Sequence, residues 1–188
     1  MRVTMRRLLL WDIDGTLLST DGIAANAMRT ALRQLVGPHV RIERTSYAGK
    51  TDWQIVRESL PSVDEATIQS RLQEFITLYT AELTAQREAL IARSTVFAGM
   101  VEALPALSPH AYQAPLTGNV AAAARIKLEC TGLLRWLDVE AGAYGDDHFD
   151  RLDLPPIAAG RARERYRYAF TPTDVVIIGD TPRDIACG

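Results

Sequence analysis

The sequence is poor in cysteine, has no excess of positive charge and contains no long hydrophobic run. Its only two cysteines, Cys130 and Cys187, lack the spacing of a disulfide framework or a thiolate metal site, which predicts free thiols in a reducing compartment. The net charge of −2 argues against a nucleic-acid-binding protein, which would carry a basic patch. No segment is apolar for long enough to span a membrane, and the apolar N-terminal stretch reaches Asp12 too soon for a signal peptide. We therefore expect a cytoplasmic protein that binds neither nucleic acid nor membrane.

The apolar residues that are present alternate between two periodicities. They make up 47% of the 188 residues, enough to form the core of one domain or of a domain with an inserted module. An apolar strand from Leu8 to Ile13 precedes residues 22–93, whose periodicity predicts helices and no strand. Strands at 111–116, 136–140 and 174–179 then alternate with helices. This order predicts an α/β fold with a parallel sheet, helices on both of its faces and an all-helical insertion.

Polar residues follow three of the predicted strands. They are Asp12 and Asp14 after the first strand, Thr117 and Asn119 after the second, and Asp180 and Asp184 after the last. Each segment alone is typical of an ordinary turn or helix start. However, ligands of open α/β sheets bind at the carboxyl ends of the strands, so the combination favours one shared site.

The first of these segments favours phosphoryl transfer. Asp12 and Asp14 point to the same side of an extended backbone, and a cation relieves the repulsion between two close carboxylates. Mg²⁺ suits such a site because it is commonly held by one or two carboxylates and substrate phosphate, and Asp180 would complete the coordination. One carboxylate can attack phosphorus while the other transfers protons. Thr117 and Asn119 offer a hydroxyl and an amide to the phosphate oxygens.

The three segments resemble motifs of the haloacid dehalogenase superfamily of hydrolases. DIDGTL at residues 12–17 resembles the first motif, TGN at 117–119 the second, and GDTPRD at 179–184 the fourth. The resemblance covers nearly the whole chain. It implies a Rossmann-like core sheet and a Mg²⁺-dependent hydrolase.

The resemblance also implies a role for each polar residue of these motifs. Asp12 would be the nucleophile that forms an aspartyl-phosphate, and Asp14 the general acid and base. Members that cleave carbon–halogen bonds lack an acid at the second position, because a halide leaves without a proton, so Asp14 favours a phosphate ester as substrate. The other implied roles are Thr117 as phosphate ligand, Gly118 and Asn119 in substrate binding, Asp12, Asp180 and the backbone carbonyl of Asp14 as Mg²⁺ ligands, and Asp184 as a support for the metal or its waters.

The family's third motif is a lysine or arginine that neutralises the nucleophile and the phosphoryl group. No lysine follows Lys127 in this sequence. Arg151 is the candidate, since it precedes the helix before the last strand and can bridge a carboxylate and a phosphate. The alternatives are Arg161, Arg163 and Arg165, whose mid-helix positions are more typical of a solvated face.

The insertion resembles the family's helical cap of the first type. The resemblance implies a core domain of residues 1–20 and 94–188 and a cap domain of residues 21–93. Residues 47–52 resemble the cap loop of phosphoglycolate-phosphatase-like members, in which Lys50 would contact a second anionic group of the substrate. The alternative is that Lys50 is solvated and Asp52 only caps the helix that follows.

The sequence departs from the family pattern at its C-terminal end. Family members usually continue beyond the helix after the fourth motif, so we expect the last part of the core to be missing and one edge of the sheet to be uncovered. A homodimer formed through that edge is one expectation.

Three functions are consistent with these features. The first is a phosphatase acting on a small phosphorylated metabolite with Mg²⁺. The second is a phosphomutase of the β-phosphoglucomutase type, which shares the core and the class of cap. The third is a shortened, non-catalytic relic that binds Mg²⁺ or phosphate without turnover.

Overall fold

The central sheet is built from strands that are far apart in the chain. The structure is a computed structural model that describes residues 7–188; the first six residues, with which the predicted core domain begins, lie outside the described residues. The strands in this range are β1 (Arg7–Trp11), β2 (Leu18–Ser19), β3 (Thr95–Val96), β4 (Ala111–Pro115) and β5 (Val175–Ile178). β1 lies between β4 and β5 and runs parallel to both, with Leu10 opposite Ala114 on one side and Ile177 on the other. β2 and β3 form a separate antiparallel pair.

Helices cover both faces of this sheet. In residues 7–188 they are α1 (Ile23–Val36), α2 (Asp52–Ser59), α3 (Glu65–Ser70), α4 (Leu72–Ala85), α5 (Arg87–Arg93), α6 (Met100–Leu107), α7 (Ala121–Cys130), α8 (Leu154–Tyr166) and α9 (Pro182–Ala186). Successive side chains of β1 point to opposite faces. Leu9 and Trp11 pack with residues of α6 and α7, whereas Leu8 and Leu10 pack with α8. Residues 8–11 of β1 are therefore all apolar and buried, after the exposed Arg7 at its start. The predicted α/β fold with a parallel, two-sided sheet is confirmed.

Helices α1 to α5 have a hydrophobic core of their own. The fully buried rings of Phe75 and Tyr79 on α4 are stacked at its centre, and α1 packs along α4. Val120 and Ala123, at the start of α7, extend the cluster toward the sheet. The helical group therefore lies over the end of β4, where the predicted site residues follow the strand. No helix in the described range has both the length and the apolar character needed to cross a membrane.

The strand predicted at residues 136–140 is wrong. This segment forms two short 3₁₀ turns, Leu134–Trp136 and Val139–Ala141. Asp138 explains the difference, because its carboxylate accepts a hydrogen bond from the backbone N–H of Glu140 and so starts the second turn. A short polar side chain that bonds its own backbone competes with the strand ladder.

Candidate active site

The three polar segments meet at the carboxyl ends of β1, β4 and β5. The backbone N–H of Asp12 donates to the carbonyl of Ile178 at 2.9 Å, and that of Leu116 donates to the carbonyl of Trp11 at 2.8 Å, so the loops leave the sheet side by side. They open into a cavity of about 320 Å³. Every site residue predicted from the sequence except Asp184 lines this cavity: Asp12, Asp14, Lys50, Thr117, Gly118, Asn119, Arg151 and Asp180.

Gly15 allows two of these segments to approach each other closely. Its φ of 91° lies in the left-handed region, and a Cβ at this position would lie 2.4 Å from Oδ2 of Asp180. Any larger residue would therefore collide with the Asp180 carboxylate and would also be strained. The hydroxyl of Thr16 donates to Oδ1 of the same carboxylate at 3.3 Å.

Asp12 is buried next to a buried arginine. Nη2 of Arg151 lies 3.0 Å from Oδ1 of Asp12 and 2.5 Å from Oδ1 of Asp184. Arg151 reaches this place because it begins a 3₁₀ turn after β4 and α7, with Asp150 as the N-cap. Burial raises the pKa of Asp12 to about 6, against the opposing effect of Arg151. Nε of Arg151 is buried and has no hydrogen-bond partner among the described residues.

The alternative arginines on α8 lie elsewhere. Arg161 forms a two-pronged ion pair with Asp147, at 2.5 and 2.6 Å. Arg165 pairs with Asp138, and Arg163 is exposed. Of the four candidates, the structure therefore brings only Arg151 to Asp12.

Three carboxylates at this end of the sheet fit a hard divalent cation. One oxygen atom from each of Asp12, Asp180 and Asp184 lies within 4.8 Å of the others. Both oxygens of Asp184 are already engaged, Oδ1 by Arg151 and Oδ2 by the backbone N–H and hydroxyl of Thr181, at 2.9 and 2.7 Å. Asp12 and Asp180 are thus better placed for direct coordination, and this all-oxygen set suits Mg²⁺.

Asp14 lies apart from those carboxylates and has other partners. Its side chain is 43% exposed, and its Oδ2 accepts hydrogen bonds from Nζ of Lys127 at 2.6 Å and Nδ2 of Asn119 at 2.7 Å. Lys127 also donates to Oδ1 of Asn119 at 2.6 Å, and Nδ2 of Asn119 lies 2.7 Å from the hydroxyl of Thr117. Thr117 and Asn119 are therefore linked to Asp14 through one network.

Sequence reasoning missed Lys127. A signal exists in the pattern of α7, because Ala123, Ala124, Lys127 and Leu128 share one face of this helix and all four are buried. A lysine on an otherwise apolar helix face is unusual unless its charge is paired. Residues from three segments have to be brought together before that pairing becomes visible.

The loop before α2 contacts the site differently from the prediction. The N-cap of α2 is Thr51, not Asp52, because the Thr51 hydroxyl accepts from the backbone N–H of Gln54 at 3.2 Å. The buried carboxylate of Asp52 accepts from the backbone N–H of Val120 at 2.9 Å, at the start of α7. Burial raises the pKa of Asp52 to about 7, although Lys127 opposes the shift.

Lys50 lines the cavity, but its ammonium group has partners in the segment just before the cap loop and in α2. Nζ forms an ion pair with Glu58 and donates to the hydroxyl of Thr45 at 3.0 Å. The backbone of Lys50 makes the closer approach to the site, since a Cβ on Gly118 would lie 2.0 Å from the carbonyl oxygen of Lys50. Gly118 therefore allows the loop to rest on the segment that follows β4.

The chain is similar to known hydrolases along nearly its whole length. A family model described as haloacid dehalogenase-like hydrolase matches residues 7–188. One curated relative is a protein named "Probable phosphatase IndB" from Dickeya dadantii strain 3937. It is 31% identical to this chain over 74% of this chain and 60% of that protein. Another is the phosphoglycolate phosphatase of Xylella fastidiosa strain Temecula1, which is 32% identical over 95% of this chain and 74% of that protein. The chain thus spans less than two thirds of the first relative.

A solved structure shares the fold at lower identity. The crystal structure titled as a predicted phosphoglycolate phosphatase from Haemophilus somnus 129PT superimposes with a TM-score of 0.64. The match covers 98% of this chain and 81% of that one at 16% identity. At this identity the likeness is evidence for the shared α/β architecture alone.

Proposed function

The chain belongs to the haloacid dehalogenase-like hydrolase family, and we propose that it is a Mg²⁺-dependent phosphatase that hydrolyses a small phosphomonoester. The observation that supports this most is the different surroundings of two neighbouring carboxylates. Asp12 is buried against Arg151, whereas Asp14 is 43% exposed to the cavity and paired with Lys127. Two carboxylates in different environments are suited to different catalytic roles. Both curated relatives are named as phosphatases.

In the proposed first step, a carboxylate oxygen of Asp12 attacks phosphorus and forms an aspartyl-phosphate. The bond between phosphorus and the ester oxygen breaks, and its electron pair stays on that oxygen, which takes a proton from Asp14. In the second step Asp14 accepts a proton from water as the water oxygen attacks phosphorus. The Asp12 carboxylate then leaves, and inorganic phosphate is released.

Arg151 and the residues after β4 would hold the phosphoryl group. The unpartnered Nε of Arg151 would gain an acceptor from an anion bound beside Asp12. The hydroxyl of Thr117 and the backbone of Gly118 would face the other phosphoryl oxygens. A donor set of this kind stabilises charge that develops in the transition state.

Asp12, Asp180 and the backbone carbonyl of Asp14 would hold the metal. Asp184, fixed by Arg151 and Thr181, would orient the metal's waters. When bound, Mg²⁺ would neutralise negative charge on the carboxylates and on the transferring phosphoryl group.

We propose that residues 21–93 act as the cap that receives the leaving group, over a core of residues 1–20 and 94–188. The side of the cavity that belongs to the helical group is lined by apolar and aromatic residues, including Met28, Tyr47, Ile55 and Tyr79. A cavity of about 320 Å³ admits a small metabolite rather than a polymer. The role of Lys50 as a ligand of a second anionic group stays a prediction: Lys50 lines the cavity, and its ammonium group is paired with Glu58. The cytoplasmic location and the homodimer stay predictions.

Phosphate release from a panel of phosphomonoesters with Mg²⁺ tests the proposal. Asp12→Asn should lower the rate at least about 10³-fold, since loss of a catalytic nucleophile typically costs more than that. Equal rates for wild type and variant would contradict the assignment of Asp12. Isomerisation of a sugar phosphate without release would favour the mutase, and binding of Mg²⁺ and a phosphate mimic without turnover would favour the non-catalytic protein.

A further inference from the structure

Lys127 contacts Asp14 but belongs to none of the motifs that led to the site. It lies on α7, its side chain is 3% exposed, and Nζ lies 2.6 Å from both Oδ2 of Asp14 and Oδ1 of Asn119. Asn119 donates to the same oxygen of Asp14 at 2.7 Å. Lysine and asparagine therefore hold one carboxylate oxygen from two sides.

Packing alone does not account for a lysine at this position. Its helical neighbours Ala123, Ala124 and Leu128 are apolar and fully buried, and an apolar side chain would complete their face at lower cost. Asp14 is 43% exposed, so water could satisfy its carboxylate if the lysine were absent. The charge of Lys127 is thus buried at a cost that the interaction with Asp14 and Asn119 offsets.

The contacts fix the orientation of the Asp14 carboxylate. Both donors bind Oδ2, and within residues 7–188 no hydrogen bond reaches Oδ1. Asp14 lines the cavity, so Oδ1 is the oxygen available to a bound molecule. A carboxylate held at one oxygen by two donors retains little rotational freedom, and a proton donor is effective only within hydrogen-bond reach of its acceptor.

We propose that Lys127 is a positioning residue that holds Asp14 with Oδ1 directed at the leaving-group oxygen. This inference rests on the proposed phosphatase function. In the phosphoryl-transfer step, the ester oxygen receives the electron pair of the broken bond and the proton from Asp14. An alkyl leaving group needs that proton because an alkoxide is a strong base, whereas p-nitrophenolate is stable without it. Loss of Lys127 should therefore affect alkyl phosphates selectively.

The test compares Lys127→Met with wild type on benzyl phosphate and p-nitrophenyl phosphate, two substrates of similar size, in the presence of Mg²⁺. The measured quantity is kcat/KM, which covers the steps up to leaving-group departure and not the shared hydrolysis of the intermediate. We expect the loss on benzyl phosphate to be at least about 10-fold larger than the loss on p-nitrophenyl phosphate. Comparing the two losses for one preparation removes any effect of a smaller folded fraction.

Three variants complete the experiment. Asp14→Asn should show the same selectivity, and Lys127→Arg should recover part of the loss on benzyl phosphate. Arg125→Met is the matched control, because Arg125 is an exposed cation on the same helix with a carboxylate partner, Glu140, at 3.0 Å. It should change neither rate.

An equal loss on both substrates in Lys127→Met would overturn the positioning role and make the lysine a structural residue. A wild-type protein that releases phosphate from neither substrate, nor from any member of the wider panel, would instead overturn the proposed function and this inference with it.

Discussion

The two halves of the site differ in how far their carboxylates are buried. On one side Asp12 and Asp184 share Arg151, and all three side chains are almost fully buried. On the other side Asp14 shares Lys127 with the amide of Asn119, and here only the cation is buried while the carboxylate faces the cavity. The first arrangement suits the nucleophile that we propose for Asp12. The second leaves Oδ1 of Asp14 without a hydrogen-bond partner among residues 7–188, which suits the proton transfer that we propose for Asp14.

The charges of the two halves are also balanced differently. Arg151 faces two carboxylates, so the Asp12 side has an excess of negative charge that a divalent cation would offset. Among residues 7–188, Lys127 forms one ion pair, with Asp14, and Asp52 lies nearby with a pKa that burial raises to about 7. The charge that the metal would neutralise therefore lies on the Asp12 side.

Removal of Arg151 should have the largest effect on stability and activity, and it should not discriminate between the two substrates. Arg151→Met leaves Asp12 and Asp184 buried without their cation, which typically costs about 3–5 kcal/mol of stability. We expect phosphatase activity to fall by about the same factor on benzyl and p-nitrophenyl phosphate, because in the proposed mechanism the arginine contacts the phosphoryl group and not the leaving group. Thermal unfolding and kcat/KM on both substrates measure this.

Arg163→Met is the control for that experiment. Arg163 is an exposed arginine of α8 that the sequence offered as an alternative. Its replacement should leave stability within about 0.5 kcal/mol of wild type, as is usual for surface positions. Activity loss in this variant, with activity retained in Arg151→Met, would reverse the assignment.

Gly118→Ala should have an intermediate effect on stability and activity, through the segment that carries Thr117 and Asn119 beside Asp14. The new Cβ would lie 2.0 Å from the carbonyl oxygen of Lys50. Because that atom is backbone, the loop at residues 49–52 has to move, and we expect a loss of about 1–3 kcal/mol together with lower activity. Gly160→Ala on α8 is the matched control, since its Cβ meets no atom within 4 Å and should stabilise the helix by about 0.5–1 kcal/mol. Unchanged stability in Gly118→Ala would mean that the loop does not rest on Gly118.

Asp52 should give the smallest effect, visible as a dependence of stability on pH. Its pKa is raised from 3.8 to about 7, so between these values the folded state holds a proton that the unfolded state has lost. Stability therefore falls as pH rises through this range and levels off above it. The charges that act on Asp52 are Lys127, Asp14 and Asp146, of which only Lys127 opposes the shift.

The variant Asp52→Asn isolates this contribution, because an asparagine oxygen can still accept from the N–H of Val120. From pH 6 to pH 7, wild type should lose about 1 kcal/mol more of its unfolding free energy than the variant. Denaturant unfolding at each pH measures the difference. Parallel pH profiles for the two proteins would show that Asp52 is ionised throughout.

The sequence predicted the parts of the site that depend on chain order. Residues 8–11 of β1 and all of β5 are apolar, and the polar residues after them lie at strand ends that a parallel sheet brings together. Arg151 was predicted to be the cation of the site because it precedes α8, the helix before the last strand. The prediction of a strand at residues 136–140 was wrong because the hydrogen bond from the backbone N–H of Glu140 to the Asp138 carboxylate outweighs the apolar pattern.

The parts that sequence could not supply depend on side-chain pairing across the fold. Lys127 and Asp14 are 113 positions apart, and neither the helix pattern nor the motif predicts their contact. The sequence predicts that Lys50 contacts an anionic group of the substrate, and only the fold shows that Glu58 pairs with its ammonium group. Asp52 looks like a helix cap until Thr51 takes that role and Asp52 contacts the start of α7 instead.

The division of labour between Asp12 and Asp14 is tested most directly by the covalent state of Asp14→Asn during turnover. p-Nitrophenyl phosphate needs no proton to release its leaving group, so this variant should phosphorylate Asp12 and then stall for lack of a base that activates water. Acid-quenched mass spectrometry should find one phosphoryl group per chain, on the peptide that contains Asp12, together with a burst of p-nitrophenolate. An unmodified protein, or a phosphoryl group on another residue, would contradict the account.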